Sequence, residues 1–575
     1  MFANNRTTRP LAARAISTRT PGATKPLQST SAFFSKTPRL PLIDLIERII
    51  PATANGGPDF SEAATLSSQH LLPNTKNVLK YLMNCGLKPK TTVATGKCYS
   101  NHAQTIKDLR EMGFSIIESE RWQIHDGFDA TFDTACRKSC ATFVNHLEPG
   151  QLPIVIDDGG RLNRELRTGH SEEPKLKNMV ITEQTNSGLP ATETGAAPVI
   201  RLCDSFIKSI AEPPLVAAAS FKKAQEAIAT VCKEQENLKE SKNDNKKTSP
   251  GYRQLDNAVI GVVGLGTIGY KLVKLLVKHN AKQIAVWDIN AKKVEDALKL
   301  GVPLETHVSD SMPIDSDPKP IDSHPQKTQM KAATSIQDLM KTCHIVLSAV
   351  GKPIILEGEE ERYDAAKPTI LISFSSAQND FLPLIKYARH NAFEKARKAG
   401  MPYEFKGSHH DTLYIQNGWE GVYAIPRYGT PITFDNSEEA MPNHHAQLVR
   451  ALIIGSSIQA TEMSKDKRDN PSSTVCNTHY KLSPLWQFFV ANCFLSLLPE
   501  SERREFYSAE EEKQMRNIDL IAEKSNGTLY EPFEKKLRIW LDPWLKANRL
   551  TDQVDNWLNS RVRTEYARPA LVSRL

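Results

Sequence analysis

Ala258-Val259-Ile260-Gly261-Val262-Val263-Gly264-Leu265-Gly266-Thr267-Ile268-Gly269 is the stretch whose reading decides the fold. The run up to Val263 is apolar and β-branched, which predicts a buried strand. Three glycines spaced G-x-G-x-x-G follow at once and open an amphipathic run over residues 270–279. A second apolar run, residues 283–287, ends in Asp288. Each part has a physical task. Gly264 permits a tight turn, Gly266 lets backbone approach a pyrophosphate, and Gly269 lets helix and strand pack closely. The free N–H groups of Thr267 and Ile268 open a helix whose dipole favours phosphate charge. A carboxylate at Asp288 accepts both ribose hydroxyls of NAD and repels a 2′-phosphate. Strand, glycines, helix, second strand and acid in this order predict a dinucleotide site, with NAD as cofactor. Lys292 and Lys293, just past the acid, are the features that would suit NADP instead.

Working outward, helix and strand signals alternate on both sides. Towards the N-terminus, residues 77–85 and 105–112 have helical spacing, whereas 91–94, 114–117 and 152–156 are short apolar runs. This alternation predicts a second parallel sheet with covering helices. Asp157-Asp158-Gly159-Gly160 then falls at a strand's C-terminal end, where open α/β sheets bind ligands. Residues 215–232 form an Ala-rich helical stretch that runs into the polar segment 233–250, which reads as a linker. Residues 308–329, rich in Pro, Asp and Ser, read as an insertion. Beyond Lys465 the chain is helical and Trp-rich, with a buried helix over residues 485–498.

The expected domains are an arm (1–42), a substrate α/β domain (43–232), a linker (233–253) and a nucleotide domain (254–430). A return segment (431–464) and a separate α-helical region (465–575) complete the chain. The fold class is α/β: a Rossmann-type NAD-binding domain inserted in or adjacent to a second α/β domain, with an α-helical C-terminal extension.

Composition narrows the function. Of 575 residues, 40% are hydrophobic and 24% charged, as in ordinary globular proteins with a sizeable core. The formal charge of +7 owes much to the arm, where Arg6, Arg9, Arg14, Arg19, Lys25, Lys36 and Arg39 precede the first acid, Asp44. No basic stripe with interleaved aromatics follows, so nucleic acid is not an expected partner. No apolar stretch reaches the ~20 residues of a membrane helix. The expected location is the cytoplasm, or the mitochondrion if the Arg- and Ser-rich arm is a transit peptide. Nine cysteines without C-x-x-C spacing argue for reduced thiols, with Cys136 and Cys140 packing on one helix face. His409-His410-Asp411 and His444-His445 suggest metal at first sight, but adjacent histidines point to different faces. Both groups are read as loops, and no metal site is expected.

The order of motifs resembles the S-adenosylhomocysteine hydrolases. It is carried by Gln69-His70-Leu71-Leu72-Pro73-Asn74-Thr75, by Asp157-Asp158-Gly159-Gly160 and by Glu183-Gln184-Thr185-Asn186-Ser187-Gly188. Asp204-Ser205-Phe206-Ile207-Lys208 and the glycine motif complete it, and the resemblance spans residues 69–462. In that family, bound NAD transiently oxidises a substrate ribose so that a thiol can leave and water can add. The resemblance implies that His70 and Asp158 form a proton-transfer pair and Lys208 supplies an amine. It also implies that Thr185, Asn186 and Ser187 reach the nicotinamide end of NAD, that the partner is a nucleoside-type small molecule, and that the chain forms a homo-oligomer. Departures are numerous. Gln184 replaces an acid, and Glu212-Pro213 replaces an acid–amide pair. Ser373-Phe374-Ser375-Ser376 lacks a histidine, and Leu72 and Asn74 stand at the adenine-recognising positions. The expected function is a diverged hydrolase of this kind. The alternatives are a catalytically inactive NAD-binding regulatory or interaction protein and an ordinary NAD-dependent dehydrogenase.

Overall fold

The computed structural model describes residues 34, 37–51, 56–119, 127–189, 197–241, 252–303, 328–360, 367–375, 380–399, 411–417, 421–435, 437–470, 472–473, 475–476 and 478–566. His409 and His410, Ser376, the first 33 residues and most of the 308–329 segment lie outside them.

The first sheet contains β1 (Ala63–Gln69), β2 (Thr92–Gly96), β3 (Ser115–Glu118), β4 (Leu152–Asp157), β5 (Val180–Glu183) and β6 (Val199–Arg201). The second contains β7 (Val259–Val263), β8 (Gln283–Trp287), β9 (Val302–Pro303), β10 (Gln329–Ala332), β11 (Ile345–Ser348), β12 (Thr369–Ser373), β13 (Thr412–Asn417) and β14 (Gly421–Pro426). A final strand, β15 (His479–Lys481), returns to the first sheet beside β6. The strand orders are β15-β6-β5-β4-β1-β2-β3 and β13-β14-β12-β11-β7-β8-β10-β9. Every described pairing is parallel except β13 with β14.

Both orders reverse beside the first strand of their sheet, between β1 and β4 and between β7 and β11. At such a switch point the loops leave in opposite directions and open a crevice beyond the strands' C-terminal ends. The α/β class with a Rossmann-type second domain is therefore what the chain adopts.

Strand β1, an interior strand of the first sheet beside the switch point, does not stand out in the sequence. Ala-Ala-Thr-Leu-Ser-Ser-Gln has one large apolar residue, yet all seven positions are buried. Small side chains suit a strand covered on both faces, but they leave no hydrophobic run to read.

Four helices tie the molecule together: α1 (Thr75–Asn84), α2 (Phe206–Ser241), α3 (Thr267–Lys278) and α4 (Asn443–Asp469). Helix α2 absorbs both the predicted helix at 215–232 and the start of the segment expected to be a linker, and it carries Pro213 and Pro214 inside it. Helix α4 is buried along most of its length and crosses the first sheet.

Two further helices follow, α5 (Pro484–Leu497) and α6 (Glu500–Phe506). The C-terminal region is helical as expected, but it is not separate. One hydrophobic core joins Leu42 and Ile46 with Tyr81, Ile154, Leu452, Phe489, Leu541 and Trp557. The apolar faces of α5 and the helices after it have no core of their own, so they complete that of the first sheet. Leu40 and Leu42, placed in the arm by sequence, are fully buried there, and Leu42 N–H donates to Gln447. Among the described residues, no helix is long and apolar enough to cross a membrane.

Candidate functional site

In the second domain the glycine motif has the geometry its spacing requires. Gly264 has φ +85°, and Gly269 sits so close that a Cβ there would lie 1.8 Å from the Gly264 carbonyl oxygen. A Cβ on Gly266 would meet nothing within 4 Å, so the loop's outer face is open for a phosphate. Thr267 and Ile268 begin α3 behind it. Asp288 follows β8 and accepts the Leu265 N–H at 2.6 Å and the Asn290 N–H at 2.8 Å. Each carboxylate oxygen keeps a lone pair for a ribose hydroxyl.

Ile289, 92% exposed, and the half-exposed Val350 after β11 offer apolar surface for an adenine ring. Lys292 turns to Glu295 and Asp296, whereas Lys293 stands 4.0 Å from Asp288. The residues fit NAD. Below the loop after β11, buried Asp380 accepts the Gly351 N–H and the hydroxyls of Ser373 and Ser375. Burial pushes its carboxyl up to about 6. Ser373 and Ser375 thus brace that loop, a role their sequence does not announce.

In the first domain, His70 follows β1 and Asp158 follows β4, so the two flank the switch point. The acids before them act as framework. Glu183 accepts N–H groups from Gly159 and Thr185 and the Thr185 hydroxyl, at 3.2, 2.8 and 2.9 Å. A Cβ on Gly160 would lie 2.5 Å from the backbone of Gly188, so the two glycine turns touch over this carboxyl. Asp157 accepts the Asn163 N–H at 2.8 Å. Burial and the neighbouring Asp158 charge push Asp157 up to about 6, and burial with the Asp157 charge raises Glu183 well above the usual range. Gln184 donates to the Asp157 carbonyl and so braces a strand end.

Asp158 is the residue aimed at the crevice. Its Oδ1 lies 2.9 Å from Lys97 Nζ and its Oδ2 3.4 Å from His70 Nε2. Burial alone would raise its carboxyl, but the Lys97 ammonium, with the more distant Lys208 charge, holds it below the usual range. Lys97 was not anticipated. It follows β2 in Gly-Lys-Cys, with no motif around it, and only sheet order brings it to Asp158.

His70 is neutral, because burial and the Lys97 charge pull its pKa down to about 3. Its Nδ1 lies 2.7 Å from Ser100 Oγ, and the Ser100 hydroxyl donates to the Lys97 carbonyl. The other ring nitrogen, Nε2, faces the Asp158 carboxylate. Phe434 stacks on the imidazole at 4.3 Å and, with Tyr99, Ser100 and Asn101, lines a narrow cleft.

Lys208, on α2, bonds Glu212 at 2.7 Å and reaches Asp158 only through its field. Thr185 is pinned by Glu183, and Asn186 begins a single turn ending at Gly188 on the same sheet edge. Ser187 lies in that turn.

Arg450, two turns into α4, is buried, and it donates to Asn74 Oδ1 at 2.9 and 3.1 Å and to Gln69 Oε1 at 3.4 Å. Burial lowers its pKa to about 10. These hydrogen-bond partners are neutral amides, not acids. The His444-His445 pair is not a loop. It forms the first turn of α4, and both rings reach Glu502 on α6.

Residues 259–378 match the family described as the NAD binding domain of 6-phosphogluconate dehydrogenase. An uncharacterized protein of Mycobacterium tuberculosis (strain CDC 1551 / Oshkosh) is 29% identical over 172 residues, 29% of this chain. The matched region spans 33% of that relative, so the chain covers about a third of the curated relatives' length.

Among solved structures, a D-isomer specific 2-hydroxyacid dehydrogenase from Lactobacillus delbrueckii ssp. bulgaricus, in its NAD complexed form, overlays with TM-score 0.31 and 10% identity. That overlay covers 72% of this chain and 99% of the other. A phosphoglycerate oxidoreductase from Vibrio cholerae o395 gives 0.32 and 13%, with 66% and 96% covered. Overlays this loose speak to neither substrate nor mechanism. The second domain is a Rossmann-type NAD-binding domain, and NAD is its cofactor. The resemblance to S-adenosylhomocysteine hydrolases gains no support from these matches beyond the nucleotide fold.

Proposed function

We propose that the chain is an NAD-dependent dehydrogenase acting on a hydroxyl-bearing carbon of a small anionic substrate. The observation that carries this reading is Asp158, fixed between Lys97 and His70 at the switch point of the first sheet. NAD, when bound, supplies the hydride acceptor. His70 takes the hydroxyl proton on its imidazole, and burial keeps the ring in the neutral form that can do so. Asp158 stabilises the imidazolium that results, while Lys97 orients and ionises Asp158. Arg450, its charge met by amide oxygens, favours a substrate carboxylate or phosphate. Phe434 covers His70 and excludes water.

A second reading keeps NAD resident and recycles it within one hydrolytic turnover. It is favoured by the Lys208–Glu212 pair beside Asp158. Incubating the full chain with NAD and a panel of hydroxy acids and hydroxy phosphates separates the two. Net accumulation of NADH with at least one substrate is expected. Bound NAD that is reduced and reoxidised by a nucleoside thioether, with no net NADH, would overturn the dehydrogenase reading in favour of the second.

A further inference from the structure

Sequence reading sets the His444-His445 pair aside, but the tertiary structure brings it together with a third donor. His444 Nε2 lies 2.9 Å from Glu502 Oε2 and 3.2 Å from Oε1, and His445 Nε2 lies 2.8 Å from Oε2. One donor atom from each residue falls within 4.8 Å of the others. The histidines open α4, the long helix of the first domain, and Glu502 sits on α6 of the C-terminal region. The rings are tilted by 58° with centroids 4.1 Å apart, so adjacent positions need not diverge in the first turn of a helix.

We infer that His444, His445 and Glu502 form a binding site for a divalent ion of the zinc type. Two imidazoles and one carboxylate select zinc and similar borderline ions over magnesium or calcium, which prefer all-oxygen shells. Tetrahedral zinc with bonds of about 2.0–2.2 Å separates its donors by roughly 3.3 Å. The present spacing is a few tenths of an ångström shorter. The side chains of His444 and Glu502 are 42% and 30% exposed, which gives them room to adjust and the ion a way in.

The bland alternative is a clamp in which both rings donate Nε2–H to one carboxylate oxygen. With or without an ion, His445 Nδ1 is buried and has no hydrogen-bond partner among the described residues. An ion bound at both Nε2 atoms, with each ring's proton on Nδ1, satisfies the same three atoms and leaves a fourth position for water. The ion would sit at a joint. Arg450 lies further along α4, and Glu505 of α6 reaches Lys278 of α3 in the nucleotide domain at 2.5 Å.

The test uses the full chain, stripped with a chelator and titrated with zinc against a chromophoric competitor. Wild type is expected to bind one zinc per chain, and cobalt in its place to give the intense visible absorption of a tetrahedral site. Glu502→Gln keeps hydrogen bonding but is a poor ligand, and His444→Ala removes a half-exposed one. Each is expected to weaken binding by more than the roughly 10–100-fold that loss of an outer-shell partner costs. Circular dichroism should be unchanged in Glu502→Gln, which decides the matter if His444→Ala folds poorly. Absence of zinc binding by wild type, or equal binding by Glu502→Gln, overturns the site.

Discussion

Asp158 holds the first site together because a buried cation, Lys97, depends on it. Lys97 and Asp158 are both buried, and a buried ammonium is tolerated only with its counter-charge in place. Asp158→Asn should therefore destabilise the protein by ~3–5 kcal/mol, measured by urea unfolding. Adding Lys97→Met should restore most of that stability while leaving NADH production abolished. A double variant that regains turnover would remove Asp158 from the chemistry. His70 and Asp158 were legible at the residue scale through their motif. Lys97 and Arg450 were not, since each becomes significant only through what the fold brings to it.

At the scale of elements, the strand–loop–helix unit was legible almost to the residue. Strand β8 was expected over residues 283–287 and is found as Gln283–Trp287. Local physics over-determines such a unit, because β-branched strand, glycine spacing and helix start all demand the same geometry. The glycines differ in what they do, which yields a paired expectation. Gly269→Ala drives a methyl into the Gly264 carbonyl and should lower stability by ~1–3 kcal/mol along with NAD binding. Gly266→Ala places its methyl in open space, so the melting temperature should hold while NAD titration shows weakened binding. Equal melting losses in both would contradict the separation of roles.

For the molecule as a whole, the C-terminal helices complete the core of the first sheet, and Glu534 is buried within that joint. Its carboxylate accepts the Leu485 N–H at the start of α5. Burial raises its pKa from 4.5 to about 8. Between those values the folded protein keeps a proton that the unfolded chain has released. Stability contributed by the protonated acid is fully present below 4.5 and lost as pH rises through about 8. The slope approaches ~1.4 kcal/mol per pH unit. Glu534→Gln cannot ionise, so its melting temperature should gain on that of wild type as pH rises from 5 towards 8. A constant difference between the two across that range would show that Glu534 does not titrate in the fold.

The sequence by itself determined the dinucleotide unit, the α/β class and the carboxylates at the strand ends, because these depend on neighbours in the chain. Three things were decided by the tertiary structure alone. Small-residue β1 became an interior strand of a sheet, the helical tail became part of the first core, and Lys97, Arg450 and the His444–His445–Glu502 cluster acquired partners. Each depends on contacts between residues far apart in sequence, such as Arg450 with Asn74 or His445 with Glu502. Periodicity and spacing record what a segment needs locally, whereas long-range contacts record which segments meet, and here that meeting follows from strand order and from the burial of α4.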